Sequence, residues 1–220
     1  MPRVSLKCNK PIIGLTGSVG AGKSTVANIL ESLGAAVIDS DQLSHEQLRD
    51  SEVIATLRRW WGPSVLTPEW QVDRKAVAAI VFDDPHKLSQ LQGLLYPRIR
   101  RRREELLAIH NADPNVQAVV FDTPKLFEVG LDKDCDAVIF VDAEARLRLQ
   151  RLALSRGWDE AELLRREKLL QPLDKKRANA DYVVVNNSRV EDLRSEVEGV
   201  FQNVLASFCV AHSKRIPDSN

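Results

Sequence analysis

Lys23 and Ser24 close the stretch Gly17-Ser18-Val19-Gly20-Ala21-Gly22-Lys23-Ser24, which directly follows the apolar run Ile12-Ile13-Gly14-Leu15-Thr16. A glycine, four residues of any type and then Gly-Lys-Ser is the spacing of a loop that cradles a polyphosphate. Backbone N–H groups grip the phosphates, and Gly17, Gly20 and Gly22 let the main chain approach where a Cβ would collide. Lys23 is then placed to reach the β- and γ-phosphates, and the Ser24 hydroxyl can bind Mg²⁺. Thr25 falls in the first turn of a helix whose partial positive charge favours anions. The expected nucleotide-binding residues are therefore Ser18, Val19, Gly20, Ala21, Gly22, Lys23, Ser24 and Thr25. A chance match would lack the context, whereas here a strand-like run precedes the loop. Val26, Ile29, Leu30 and Leu33, apolar at helical spacing, follow it and Gly34 ends them.

Acids at the ends of apolar runs are the next candidates. Ala35-Ala36-Val37-Ile38-Asp39 reads as a buried parallel strand, and ligands of open α/β sheets lie outside the carboxyl ends of strands. Asp39 and Asp41, two apart on one extended segment, would point the same way, which makes both candidates for the site. The alternative is that Asp41 caps a helix from Gln42 to Arg49. Val116 to Phe121 forms a third such run, and it ends in Asp122, a carboxylate suited to Mg²⁺, directly or through water.

Two further strands, Asp136 to Asp142 and Asp181 to Asn186, alternate with helical patterns, so the elements that position these groups make a parallel sheet. The expected fold is an α/β P-loop architecture: a five-stranded parallel sheet with helices on both faces, a helical substrate-binding insertion and a helical lid. Residues 11–41, 116–145 and 180–209 form the nucleotide-binding core. The insertion covers 42–115, where apolar residues at helical spacing run from Val53 to Leu95 with breaks at Gly62-Pro63 and Asp83-Asp84-Pro85. Trp60, Trp61 and Trp70 within it can stack on a ligand or simply pack. The Arg98 to Arg103 run, followed by Glu104 and Glu105, reads as a solvated helix with acids available at i,i+4.

The lid is assigned to 146–179. Residues 146 to 177 hold ten basic against five acidic residues, in a chain where 31 Lys and Arg balance 31 Asp and Glu. Arginines concentrated there suit closure over a transferring phosphoryl group, the other reading being an exposed basic helix pair. The last helix, with Leu193, Val197, Phe201 and Val204 on one stripe, seals the sheet.

Composition bounds the rest. At 220 residues and 44% hydrophobic content the chain suits one α/β domain with insertions. Balanced charge gives no global field for nucleic acid or an anionic membrane. Cys8, Cys135 and Cys209 lack Cys-x-x-Cys spacing and fit a reducing compartment, and no apolar run is long enough to span a bilayer, so a cytoplasmic protein is expected. The four histidines show no metal-ligand spacing. Met1 to Lys10 reads as a loose extension and His212 to Asn220 as a fraying tail. Nothing in the sequence speaks to oligomeric state.

The ordered set resembles the dephospho-CoA kinase family over roughly Pro11 to Phe208. It comprises Gly14-Leu15-Thr16-Gly17 through Thr25, Val37-Ile38-Asp39-Ser40-Asp41, Val72-Asp73-Arg74, Leu95-Tyr96-Pro97-Arg98-Ile99, Asp122-Thr123-Pro124-Lys125-Leu126-Phe127-Glu128, Cys135-Asp136 and Ala180-Asp181-Tyr182-Val183. The resemblance implies ATP and Mg²⁺, transfer of the γ-phosphate to the ribose 3′-hydroxyl of dephospho-CoA, and an insertion that binds CoA. Carried over by position, Asp41 resembles the acid beside that hydroxyl, Lys23 and Ser24 the phosphate and metal ligands, and Arg151 a lid arginine. Ser18, Lys125 and Leu170-Gln171 depart from the family pattern, where a Gly, a Leu and a Gln two residues before the Pro are usual.

Two other functions use the same loop. A kinase of another small molecule or nucleoside would share it, since the sheet does not choose the acceptor. A regulatory nucleotide switch would need a guanine-reading Asn-Lys-x-Asp, and the fifth strand instead ends Val185-Asn186-Asn187-Ser188.

Overall fold

The run Ile12–Gly17 becomes β1, and all six of its residues are buried, as a strand covered on both faces requires. The structure, a computed structural model, describes residues 9–82 and 84–213. In chain order β1 is followed by α1 (Lys23–Ser32), β2 (Ala35–Asp39), α2 (Ser40–Gln47), α3 (Ser51–Trp61), α4 (Arg74–Phe82) and α5 (Pro85–Ala112). Then come β3 (Ala118–Asp122), β4 (Ala137–Asp142), α6 (Ala145–Arg156), α7 (Glu160–Glu167), α8 (Leu173–Ala178), β5 (Tyr182–Val185) and α9 (Val190–Ser213). Two compact units result: Asp39–Leu106 forms one, and the chain before and after it forms the other.

The larger unit is the sheet with its helices. Strand order is β2-β3-β1-β4-β5, with β1 parallel to β3 and β4, and β4 parallel to β5. This is the five-stranded parallel α/β sheet expected from the alternation of strands and helices. Side chains of a strand alternate between faces, and the two faces carry different cover. Ile13, Leu15, Val120, Ile139, Val141 and Val184 pack with Val26, Ile29 and Leu30 of α1 and with Leu193, Val197, Phe201 and Val204 of α9. On the other face Ile12, Val119, Phe121, Val138 and Phe140 are buried. There Gly14 lies beneath Leu126, and a Cβ on it would come within 2.7 Å of the Leu126 Cδ2.

The second unit is mostly helical. Val53 and Leu57 of α3, Val65, Val77 of α4 and Leu95 of α5 form its core, with Trp60 and Trp61 partly buried against it. Asp50 and Asp73 start α3 and α4 by accepting backbone N–H groups of the first turn. An antiparallel bridge between Leu66 and Val72 makes a small hairpin that helical spacing gave no sign of. In the arginine run of α5, Arg100 and Arg101 are exposed and pair with Glu104 and Glu105, as expected of a mostly solvated helix, whereas Arg98 is half-buried and pairs with Glu52 of α3.

The expectation of a loose start needs correction at its end. The Asn9 N–H donates to Asn111 Oδ1 at 2.9 Å, and Lys10 Nζ donates to the His110 carbonyl at 2.8 Å and to that of Asp113. A cation there satisfies carbonyls that the end of α5 leaves open. The rest of the proposed extension, including Cys8, and the tail from residue 214 lie outside the described residues, as does Asp83. Among the described residues no helix is long and apolar enough to cross a membrane.

Candidate active site

The loop between β1 and α1 is shaped by three glycines. Gly17 sits so tightly against β4 that a Cβ would strike the Val141 carbonyl, and Gly22 adopts φ 89°, with its Cβ position taken by the Asn186 amide nitrogen. Ser18 keeps a negative φ, so the missing glycine costs the loop nothing. Its hydroxyl donates to Asp142 Oδ1 at 3.0 Å, and its N–H donates to the Val141 carbonyl. The turn is closed by the Ala21 N–H on the Ser18 carbonyl. Lys23 and Ser24 begin α1 and Thr25 follows, its N–H bonded to the Gly22 carbonyl at 2.9 Å.

Lys23 and Asp122 are brought together. Leu15 lies in register with Asp122 across β1 and β3, so the loop that leaves β1 and the acid that ends β3 share one edge of the sheet. Lys23 Nζ pairs with Asp122 Oδ1, and the Asp122 side chain is only 7% exposed. The Ser24 side chain is exposed beside them. A carboxylate and a lysine held at the N-terminus of a helix are groups suited to a hard cation and a polyphosphate.

The basic stretch supplies two arginines to the same loop. Arg151 donates to the Ala21 carbonyl at 3.3 Å, to the Asn186 carbonyl at 3.0 Å and to Asn186 Oδ1 at 3.4 Å. Arg148 is 8% exposed, donates to the Val19 carbonyl at 3.2 Å and pairs with Glu167 of α7. Sequence reasoning singled out Arg151 and passed over Arg148. The signal was available, since residues three apart on a helix share a face. Arg156 and Arg166 instead lie against the Trp158 ring, 4.9 and 4.8 Å from its centroid. Arg165 and then Arg166 hydrogen-bond Glu162 and hold its carboxyl down at about 2.

Asp39 and Asp41 do not share an extended segment. Helix α2 starts two residues earlier than a cap at Asp41 would place it, because Asp39 is itself the cap: its Oδ1 accepts the N–H of Asp41 at 2.7 Å and of Gln42 at 3.1 Å. Asp41 thus lies in the first helical turn with its side chain exposed, and among the described residues its carboxylate has no partner. Asp39 is spent on the helix, which leaves Asp41 as the free acid of the two.

Around the end of β3 the chain is cross-linked through Lys176, which the sequence does not single out. Lys176 of α8 is wholly buried, donating to the Pro124 carbonyl at 2.6 Å and pairing with Glu128 Oε1 at 2.7 Å. The same Oε1 accepts the N–H of Gln171 at 2.8 Å. Because a backbone group makes that contact, the Leu170-Gln171 departure leaves it intact. Lys125 is exposed. Asn186 and Asn187, which the sequence offers as candidates for contact with adenine, are both engaged by the protein: Asn187 Oδ1 accepts the Glu144 N–H at 2.8 Å at the entrance to α6, and Asn186 Nδ2 donates to the Ala21 carbonyl at 2.8 Å. Of the tryptophans, Trp60 and Trp61 pack on the core of the second unit. Trp70 is 59% exposed at φ 61° on its hairpin, with the Arg58 guanidinium 4.8 Å from the ring.

Residues 11–192 match the model of the family described as CoaE, dephospho-CoA kinase. Dephospho-CoA kinase of Chlorobaculum tepidum is 35% identical over 206 residues, covering 91% of this chain and 98% of that protein. The enzyme of the same name from Syntrophotalea carbinolica is 38% identical over 190 residues, 84% and 88% of the two chains. Among solved structures, TT1252 from Thermus thermophilus is similar with a TM-score of 0.77 at 32% identity, over 88% of this chain and 97% of that one. Dephospho-CoA kinase from Campylobacter jejuni reaches a TM-score of 0.60 at 25% identity, over 89% and 97%.

Proposed function

Because the chain belongs to the dephospho-CoA kinase family, we propose that it transfers the γ-phosphate of ATP to the ribose 3′-hydroxyl of dephospho-CoA, giving coenzyme A and ADP. The observation that carries this reading is the Lys23–Asp122 pair at the mouth of the glycine loop, within a family match that runs from before the loop to α9. The P–O bond to the β-phosphate oxygen breaks, a new one forms to the 3′ oxygen, and the hydroxyl proton passes to a carboxylate. We assign that carboxylate to Asp41, which is exposed and whose oxygens are uncommitted among the described residues. Residues 42–115 bind the CoA moiety in this reading, and 146–179 act as the lid.

Residues 18–25 hold the phosphates, with Lys23 leaving Asp122 to neutralise charge on the transferring group and Arg151 reinforcing it from α6. The Ser24 hydroxyl and the Asp122 carboxylate are hard oxygen donors and fit Mg²⁺. When bound, the ion would supply neutralisation of phosphate charge. Work in the cytoplasm suits Cys135 and Cys209, which form no disulfide among the described residues. The test is ADP release from ATP with a panel of alcohols: dephospho-CoA, a nucleoside and shikimate. Turnover with dephospho-CoA is expected. Turnover with one of the other acceptors and none with dephospho-CoA would end this reading.

A further inference from the structure

We propose that Asn186 and Arg148 are positioning residues that aim the amides of the phosphate-binding loop before any nucleotide arrives. The inference rests on the function proposed above and concerns how that loop is made ready. In a planar trans peptide the carbonyl of one residue and the N–H of the next point in opposite directions. Fixing the first therefore aims the second. The Val19 carbonyl is held by Arg148 at 3.2 Å, which directs the N–H of Gly20 the other way. The Ala21 carbonyl is held by Asn186 Nδ2 at 2.8 Å and by Arg151 at 3.3 Å, which does the same for the N–H of Gly22. Among the described residues neither glycine N–H has an acceptor. Two amides are thus left pointing away from their carbonyl anchors, which is what an anion-binding nest needs.

The anchors are built to stay put. Asn186 is 7% exposed, and Arg148 is 8% exposed and braced by Glu167. Asn186 is itself fixed by Arg151, which bonds both its carbonyl and its Oδ1. The two glycines sit at φ 79° and 89°, the left-handed backbone that lets successive amides converge. Donors oriented in advance need no reorganisation when the phosphate binds, so the benefit falls on phosphate binding and on the charge that builds during transfer. Asn186, at the end of β5, thereby acts on the nucleotide through the loop backbone rather than by touching the base.

The experiment has two arms. In the ligand-free wild-type protein, ¹⁵N relaxation is measured at Gly20 and Gly22. Order parameters near ~0.85, the level of rigid backbone, are expected, and values below ~0.6 in a folded protein overturn the proposal. In the second arm Asn186→Leu and Asn186→Ala are compared with wild type for ADP affinity by calorimetry, for the KM of ATP and of dephospho-CoA, and for thermal midpoint. The expected result is an ADP Kd and an ATP KM raised about ten-fold, the scale of one lost hydrogen bond, with the KM of dephospho-CoA unchanged. A folded variant that keeps the wild-type ADP affinity, or loses affinity for both substrates alike, also overturns it. Should wild type bind ADP with rigid loop amides yet fail to phosphorylate dephospho-CoA, the acceptor assignment falls and the role of the anchors stands.

Discussion

Replacing Lys176 by Met tests the junction between the basic stretch and the end of β3. The ammonium is wholly buried and has two oxygen partners, the Pro124 carbonyl at 2.6 Å and Glu128 Oε1 at 2.7 Å. Removing one partner of a buried ion pair costs about 3–5 kcal/mol, because the other charge is left uncompensated. Here the loss should lie near the lower end, about 3 kcal/mol. The Glu128 side chain is 19% exposed, its Oε1 keeps the Gln171 N–H, and the Pro124 carbonyl keeps the Thr16 hydroxyl at 3.4 Å. At roughly 2–4 °C per kcal/mol for a chain of this size, the melting midpoint should fall by about 6–12 °C. Adding Glu128→Gln removes the stranded charge and keeps an acceptor for Gln171, so the double variant should recover at least ~1 kcal/mol. Urea unfolding at pH 7 of wild type, both single variants and the double variant closes the cycle. A Lys176→Met loss below ~1 kcal/mol, or a double variant weaker than Lys176→Met, would refute the account of this pair.

Further perturbations separate chemistry from folding. Lys23→Ala should abolish phosphoryl transfer while the circular-dichroism spectrum is kept, and near-wild-type turnover would remove Lys23 from the reaction. Arg151→Ala should lower kcat by about 10²–10³, measured at saturating ATP, if its guanidinium serves the transferring phosphate. Asp41→Asn should lower kcat by about 10²–10⁴ with the ADP Kd unchanged, and full turnover would leave another group to take the proton. Because hydrogen bonds from Arg165 and Arg166 hold the Glu162 carboxyl at about 2, its folded value lies below its unfolded one. Its contribution to α7 is therefore present above about pH 4.5 and is lost as pH falls toward 2, a dependence that amide exchange in α7 should show and Glu162→Gln should abolish.

Much of this was legible because strong local patterns and global fold agree. The glycine loop, the five apolar runs and the stripe on α9 each carry their own period or spacing, and each element formed where that signal lay. The two aspartates after β2 were harder. Both are aspartates and equally suited to a cap, and whether Asp39 or Asp41 starts the helix is a two-residue difference in where the backbone turns helical, which composition does not encode. Helical spacing puts Arg148 on the face of Arg151, but the partners of Asn186 and Arg148 were not readable: they are main-chain carbonyls of the loop, 165 and 129 residues away in the chain. A carbonyl has no sequence signature. Lys176 was counted among the charges of a solvated or lid-like stretch, and only tertiary packing against Pro124 and Glu128 reveals it as interior.

The position of phosphoryl transfer is read most directly from the product itself. Wild-type protein is incubated with ATP carrying a labelled γ-phosphate and with dephospho-CoA, and the product is read by phosphorus NMR and mass spectrometry. One labelled phosphate is expected as a monoester on the ribose 3′ oxygen, formed in step with ADP. Label found only as free phosphate, or on another oxygen of the acceptor, would contradict the proposed reaction.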